Sequence, residues 1–90
     1  MKHHILLVDD DEIFRIAMSS FLQSEGFLVT AVSNGEEAVA LVRQDIEEYS
    51  LALIDYHMPY FSGAETIKSL KSYNPDLIIY TFSGDDSNEA

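Results

Sequence analysis

Short aliphatic runs alternate with longer segments of helical period along the chain. The short runs predict four strands. The longer segments carry apolar residues three or four positions apart, which predicts three helices that each bury one face. The predicted strands span 5–8, 27–32, 51–55 and 77–82, and the predicted helices span 12–25, the segment after the Asn34-Gly35 turn, and 63–72.

The helical spacing also predicts which side chains face the core. Gly26 provides a left-handed stop for the first helix, and Tyr80 and Phe82 on the last strand are predicted to pack inside. The inward helical positions are Ile13, Ile16, Ala17 and Phe21 in the first helix, Ala38, Val39, Val42 and Ile46 in the second, and Ile67 and Leu70 in the third.

Strands that are aliphatic on both faces and separated by single helices predict a parallel sheet covered on each side. All four strands then point the same way, and their carboxyl ends meet at one edge, where ligands bind in open α/β sheets. The polar residues expected at that edge are Asp9 and Asp10, Ser33, Asp55 and Ser83.

Carboxylates gathered at one edge repel each other unless a cation neutralises them. Hard oxygen ligands suit Mg²⁺, which keeps several waters and readily adds a phosphate oxygen. The sequence therefore predicts a Mg²⁺ site formed by Asp9, Asp10 and Asp55. A simpler interpretation stays open at this point, in which residues 10–12 only cap the first helix and complement its positive end.

Composition narrows the class of partner. The chain has 90 residues, and 16 acidic against 5 basic residues give a net charge of −11. This charge disfavours nucleic acid and anionic lipid and suits cations or cationic patches on proteins. The chain has no cysteine, and we find no signal peptide or membrane span in its sequence. We expect one domain over 1–90 and a cytoplasmic location.

Three motifs in order point to a known family. They are the Asp9-Asp10 pair, the D-x-x-M-P-x-x-x-G stretch from Asp55 to Gly63, and Ser83-Gly84. The sequence resembles the receiver domain of two-component response regulators over residues 3–86. The resemblance implies a flavodoxin-like, doubly wound parallel sheet of strand order 2-1-3-4.

The resemblance further implies that Asp55 accepts a phosphoryl group from a phosphohistidine on a sensor histidine kinase or a phosphotransfer protein. Asp10, Asp55 and the backbone carbonyl of His57 would ligate Mg²⁺, with Asp9 acting mainly through water. The Ser83 hydroxyl would donate to a phosphoryl oxygen. The kinase, the output pathway and any output domain or protein are not specified by the sequence.

One departure from the family is a missing lysine. Receiver domains carry it at the end of a fifth strand, and this sequence reaches Ala90 before such a strand. Lys68 and Lys71 fall in the third helix and do not match the motif. We therefore interpret 1–90 as an incomplete receiver domain without the fifth strand and last helices. Slow phosphorylation and a homo-oligomer formed through the exposed 77–82 edge are expected.

Two other functions remain open besides the phosphoacceptor. The chain could be an interaction module that keeps the fold without phosphorylation. It could also be a Mg²⁺-dependent phosphohydrolase with an aspartyl nucleophile, but that class expects aspartate at position 57, which is histidine. We expect no enzyme activity beyond self-catalysed phosphotransfer and autodephosphorylation.

Overall fold

The sheet and helices follow the predicted alternation. A computed structural model describes residues 3–56, 58 and 62–82. All strand pairs are parallel, and the strand order is β2-β1-β3-β4, which confirms the flavodoxin-like expectation. The elements are β1 (His4–Val8), α1 (Glu12–Ser24), β2 (Leu28–Val32), α2 (Gly35–Gln44), β3 (Leu51–Asp55), α3 (Gly63–Tyr73) and β4 (Ile78–Phe82).

Each helix begins where a side chain can satisfy its first free backbone N–H groups. Asp11, Asn34 and Ser62 are the N-cap residues of α1, α2 and α3, and each side chain accepts a hydrogen bond from the first helical turn. Ser62 and Glu65 form a reciprocal capping box. After α1 the chain turns at Gly26, whose φ of +99° confirms the left-handed stop.

The two faces of the sheet are covered unequally. On one face, Leu6 and Val8 of β1 share the surface with Ala52 and Ile54 of β3, and α2 and α3 cover them to form the core. Ala38, Val42 and Leu70 are fully buried there, as predicted. On the opposite face, Leu7 lies below α1 and lines an apolar cavity together with Phe14 and Met18 of that helix. Within the described ranges, α1 is the one helix on that side.

This unequal cover makes the predicted inward face of α1 wrong. Ile13, Ile16 and Phe21 are 80%, 61% and 58% exposed, while Phe14 and Met18 line the space above the sheet. A single helix on a sheet face buries only a narrow stripe, so apolar positions on its flanks stay in solvent.

Two further packing predictions also fail. Ile46 lies beyond the end of α2 and is exposed. On β4, Tyr80 is 62% exposed, whereas Phe82 is half-buried and stacks on Phe14 with ring centroids 5.2 Å apart. Both residues lie on β4, and the contact with Phe14 of α1 distinguishes Phe82 from Tyr80.

The amino end of the sheet is held by His4, the first residue of β1. Its Nε2 is 2.7 Å from the Thr30 hydroxyl and its Nδ1 is 2.6 Å from a Glu48 carboxylate oxygen. These contacts fasten β1 to β2 and to the segment before β3. None of the helices within the described residues has the length and apolar content needed to cross a membrane.

Candidate metal centre

The carboxyl ends of β1 and β3 lie side by side, and backbone hydrogen bonds extend the sheet beyond both strands. The Asp9 N–H donates to the Val32 carbonyl at 3.2 Å, and the Tyr56 N–H donates to the Phe82 carbonyl at 2.8 Å. The backbone is therefore fixed where the predicted acidic residues project from the sheet edge.

The structure brings together the three carboxylates that the sequence predicted. One carboxylate oxygen from each of Asp9, Asp10 and Asp55 lies within 4.8 Å of the other two. Asp9 and Asp55 are buried, with 5% and 8% exposure, and Asp10 faces solvent. In the described part of the chain, this is the one group of three potential metal ligands.

The electrostatics of this cluster are unfavourable without a cation. Burial raises the pKa of the Asp9 carboxyl to about 6, and the negative charge of Asp55 and the neighbouring Asp10 carboxyl add to the rise. The Asp11 N–H, which donates to the Asp9 carboxylate at 2.9 Å, opposes it by favouring the ionised form of Asp9. The net result is an acid that holds its proton more strongly than an exposed aspartate does.

The three acidic residues after Asp9 have different roles: Asp10 belongs to the cluster, whereas Asp11 and Glu12 stabilise α1. Asp11 caps α1, accepting from the backbone N–H groups of Ile13 and Phe14 at 3.0 and 3.3 Å. Glu12 lies in the first turn, where the helix dipole favours negative charge. The capping interpretation therefore holds for Asp11 and Glu12, whereas the carboxylate of Asp10 lies in the cluster.

Gly63, the first residue of α3, packs closely against the end of β3. The Gly63 N–H donates to the Tyr56 carbonyl at 3.2 Å, and a Cβ at position 63 would lie 2.5 Å from the Tyr56 Cα and 2.9 Å from the Asp55 carbonyl oxygen. Only glycine permits this approach. Met58, 7% exposed, joins the core cluster. Met58 and Gly63 are therefore two packed positions after Asp55.

Sequence reasoning missed one charged residue at this edge. The guanidinium of Arg15 donates from Nη1 to the Asp9 backbone carbonyl at 2.8 Å. This bond ties the first turns of α1 to the end of β1 and brings a positive charge close to the acids. The sequence carries no signal for this contact, because it depends on how α1 is oriented above β1.

Three of the five predicted site residues are thus placed together. Asp9, Asp10 and Asp55 offer hard oxygen donors, and a set of two or three carboxylates that leaves room for water suits Mg²⁺. The backbone carbonyl of His57 and the hydroxyl of Ser83 lie outside the described residues. Ser33, also expected at this edge, is bonded through its N–H and hydroxyl to the Glu37 carboxylate.

Comparison with known proteins agrees with this architecture. The family model described as response regulator receiver domain matches residues 5–90. The chain is 36% identical over 85 residues to a cyclic di-GMP phosphodiesterase of Thermotoga maritima, covering 94% of this chain and 22% of that protein. It is 37% identical over 83 residues to the transcriptional regulatory protein CpxR homolog of Haemophilus influenzae, covering 91% and 35% respectively.

A solved structure shows the same fold. The CheY-like response regulator receiver domain protein of Methanospirillum hungatei superposes with a TM-score of 0.88 at 26% identity, covering 97% of this chain and 68% of that one. The chain spans well under half the length of the two curated relatives above. Family match, strand order and neighbouring structure agree, and the chain belongs to the response regulator receiver domain family of two-component signalling.

Proposed function

We propose that this chain accepts a phosphoryl group on Asp55 from the phosphohistidine of a sensor histidine kinase or phosphotransfer protein. The observation that carries the proposal is the buried Asp55 carboxylate at the end of β3, within 4.8 Å of those of Asp9 and Asp10. Membership of the receiver family supports the same role. Phosphorylation would then change which surfaces an attached output domain or a separate protein can bind.

The transfer needs little covalent chemistry from the protein. An oxygen of the ionised Asp55 carboxylate attacks phosphorus, a P–O bond forms, the P–N bond of the phosphohistidine breaks, and the imidazole leaves with the electron pair. No general base is required, because a carboxylate carries no proton to remove. The protein contributes position, since the pairing of β3 and the close packing of Gly63 against its end hold Asp55 at the sheet edge.

Charge neutralisation is the second requirement, because negative charge accumulates where three carboxylates already lie. Asp10 and Asp55 would hold Mg²⁺, together with the His57 carbonyl, and Asp9 would act through water. A metal ion bound there supplies positive charge against the phosphoryl oxygens. Arg15 fixes the Asp9 backbone and so supports the geometry of the site. The Ser83 hydroxyl is the proposed donor to a phosphoryl oxygen.

Phosphorylation by acetyl phosphate with Mg²⁺, followed by intact mass measurement, tests the proposal. We expect the wild type to gain one phosphoryl group that hydroxylamine removes, as an acyl phosphate requires. Asp55→Asn should show no gain, while the matched control Asp76→Asn, an exposed aspartate in the turn before β4, should behave as wild type. An unmodified wild type would instead favour the interaction module, and steady phosphate release from a simple phosphomonoester would favour the phosphohydrolase.

The remaining assignments follow from this role. A receiver domain works with a kinase and an output module, and a cytoplasmic location fits both partners. The cyclic di-GMP activity named for the Thermotoga relative belongs to a protein of which this chain matches 22%. We assign no such activity to this chain, and we expect no catalysis beyond its own phosphorylation and dephosphorylation.

A further inference from the structure

Asp10 is the exposed member of the acidic cluster, whereas Asp9 and Asp55 are buried. The rotamers open to a side chain depend on the φ and ψ angles of its own residue. These two angles are fixed when the peptide groups before and after the residue are both held in place. The direction of the Asp10 carboxylate therefore depends on what holds the two peptide groups that flank it.

Both of these peptide groups are hydrogen-bonded. The one before Asp10 contains the Asp9 carbonyl, which accepts from Nη1 of Arg15 at 2.8 Å. The one after Asp10 contains the Asp11 N–H, which donates to the Asp9 carboxylate at 2.9 Å. Arg15 also donates its backbone N–H to the Asp11 carbonyl at 3.0 Å, so it contacts the segment on both sides of Asp10.

The Arg15 side chain is suited to hold a peptide group in one orientation. It is half-buried on α1, and its planar guanidinium is a pre-organised donor, unlike the flexible ammonium of lysine. A hydrogen bond from a charged donor is also stronger than one between neutral groups. This bond runs to a backbone carbonyl, so its direct effect is on the backbone before Asp10.

We propose that Arg15 is a positioning residue for the divalent cation, acting through the peptide group between Asp9 and Asp10. The inference rests on the proposed function, in which Asp10 and Asp55 hold Mg²⁺. Mg²⁺ requires nearly ideal octahedral geometry, so a carboxylate that points in the wrong direction binds it less well. Groups that orient a metal ligand typically contribute a factor of roughly 10–100 to metal affinity.

The positive charge of Arg15 predicts the opposite effect on Mg²⁺ binding. Because cations repel each other, removing this charge alone would strengthen the binding of Mg²⁺. Water at the open edge limits this gain to about fivefold, the range of exposed charge pairs. Positioning is the larger effect, so loss of the Arg15 side chain should weaken Mg²⁺ binding although the site becomes more negative.

A Mg²⁺ titration of the ¹⁵N-labelled protein, followed by the amide resonances of residues 9–11, measures the dissociation constant. Arg15→Met keeps an unbranched stem with good helix propensity but removes the charge and the donor. Its dissociation constant should be roughly two to twenty times that of wild type. Arg43→Met is the matched control, because it removes the same charge from an exposed position in the last turn of α2, and it should bind Mg²⁺ as wild type does.

Salt separates the two effects of Arg15. The Debye length falls from about 8 Å at physiological ionic strength to about 3 Å at 1 M, which screens charge repulsion but leaves the geometry of the ligand unchanged. The ratio of the Arg15→Met and wild-type dissociation constants should therefore rise with salt, towards the full factor of roughly 10–100. Thermal melts in EDTA confirm that each protein is folded at the temperature of the titration.

Arg15→Lys provides a second test that does not depend on how well Arg15→Met folds. It keeps the positive charge and replaces the planar fork by a flexible ammonium. Positioning predicts a dissociation constant severalfold above that of wild type, whereas a role of charge alone predicts no change. In the metal-free spectra, the Asp10 and Asp11 amide resonances should move in both Arg15 variants, while those of Leu6 in the core remain in place.

Several results would overturn the inference. They are unchanged or tighter Mg²⁺ binding by Arg15→Met, wild-type affinity in Arg15→Lys, and equal weakening in Arg43→Met. These outcomes would leave the proposed metal site intact, because the wild type would still bind Mg²⁺. A wild type whose resonances do not respond to Mg²⁺ would overturn the inference together with the metal site on which it rests.

Discussion

Replacing Asp9 with asparagine should stabilise the metal-free protein at neutral pH. The Asp9 carboxyl is buried beside two other acids, and its pKa rises from 3.8 to about 6 on folding. Between these values the folded state binds a proton that the unfolded state has released. Stability therefore falls as pH rises through this window, and the loss is complete above about pH 6. Asparagine has the same shape, carries no charge, and can still accept from the Asp11 N–H.

The structure sets the size of the effect. One pKa unit corresponds to about 1.4 kcal/mol, so the shift of Asp9 gives an upper value of about 3 kcal/mol. Water at the open edge, where Asp10 is exposed, screens part of this energy, and we expect about 1–3 kcal/mol in favour of Asp9→Asn at pH 7.5. The gain should shrink towards pH 5, where Asp9 is already protonated in the folded state.

Urea unfolding followed by circular dichroism, in the presence of EDTA, measures this difference. The chain has an isoelectric point near 4.3, so the series runs from pH 5 to pH 8 to keep the protein soluble. Asp76→Asn serves as the control, because it removes one negative charge from an exposed turn away from the site. Its stability relative to wild type should change little over the same range.

Adding Mg²⁺ should reduce the stability advantage of the Asp9→Asn variant over wild type. The metal neutralises the acids of the wild type and stabilises the fold by about 2.7 kcal/mol at a hundredfold excess over its dissociation constant, and the asparagine variant should gain less. A pH-independent difference between Asp9→Asn and wild type, or a variant less stable than wild type at pH 7.5 without metal, would refute the electrostatic reasoning.

Three other predictions test the site. Asp10→Asn should lose most of the Mg²⁺-induced rise in melting temperature, while Asp11→Asn keeps both the helix cap and the metal response; equal responses would remove Asp10 from the site. Gly63→Ala should cost about 1–3 kcal/mol in urea unfolding, because its methyl group meets the Tyr56 backbone at 2.5 Å, and wild-type stability would contradict the close approach. An extended chain that supplies the fifth-strand lysine should be phosphorylated by acetyl phosphate roughly 10²–10³ times faster, and equal rates would exclude a role for that charge.

Much of the fold was predictable because local signals agree with the tertiary structure. Both ends of β3 were predicted correctly, since the apolar run in LALID is bounded by polar residues. The first helix was predicted one residue too long, because Glu25 is its C-cap and continues the helical pattern. The third was predicted one residue too short, since Tyr73 still belongs to α3.

The convergence of Asp9, Asp10 and Asp55 was predictable for a topological reason. Parallel strands end at a common edge, so residues 46 positions apart in sequence become neighbours once the strand order is known. The contact of Arg15 with the Asp9 carbonyl was not predictable in this way. It depends on how α1 is oriented above the sheet, and the order of the strands does not determine that orientation.

The predictions of side-chain burial on α1 and β4 failed for a related reason. Apolar spacing shows which positions could be buried, and the number of elements on each face decides which of them are. Ile16 and Tyr80 fit their patterns yet remain exposed, because α1 alone covers that face among the described residues. Hydrophobic periodicity alone therefore overestimates burial wherever a sheet face carries a single helix.

The acidic residues 9–12 after β1 affect stability in opposite directions. Asp11 and Glu12 stabilise α1 through its cap and dipole, which offsets part of the cost of keeping Asp9 buried beside Asp10 and Asp55. Removing the charge of Asp9 would relieve that cost, but it would also remove the electrostatic reason for a cation to bind. In a chain of 90 residues, whose stability margin is small, a site that destabilises the metal-free fold makes folding and metal binding interdependent. The burial that raises the pKa of Asp9 is therefore also the source of the free energy by which a divalent cation would stabilise the protein.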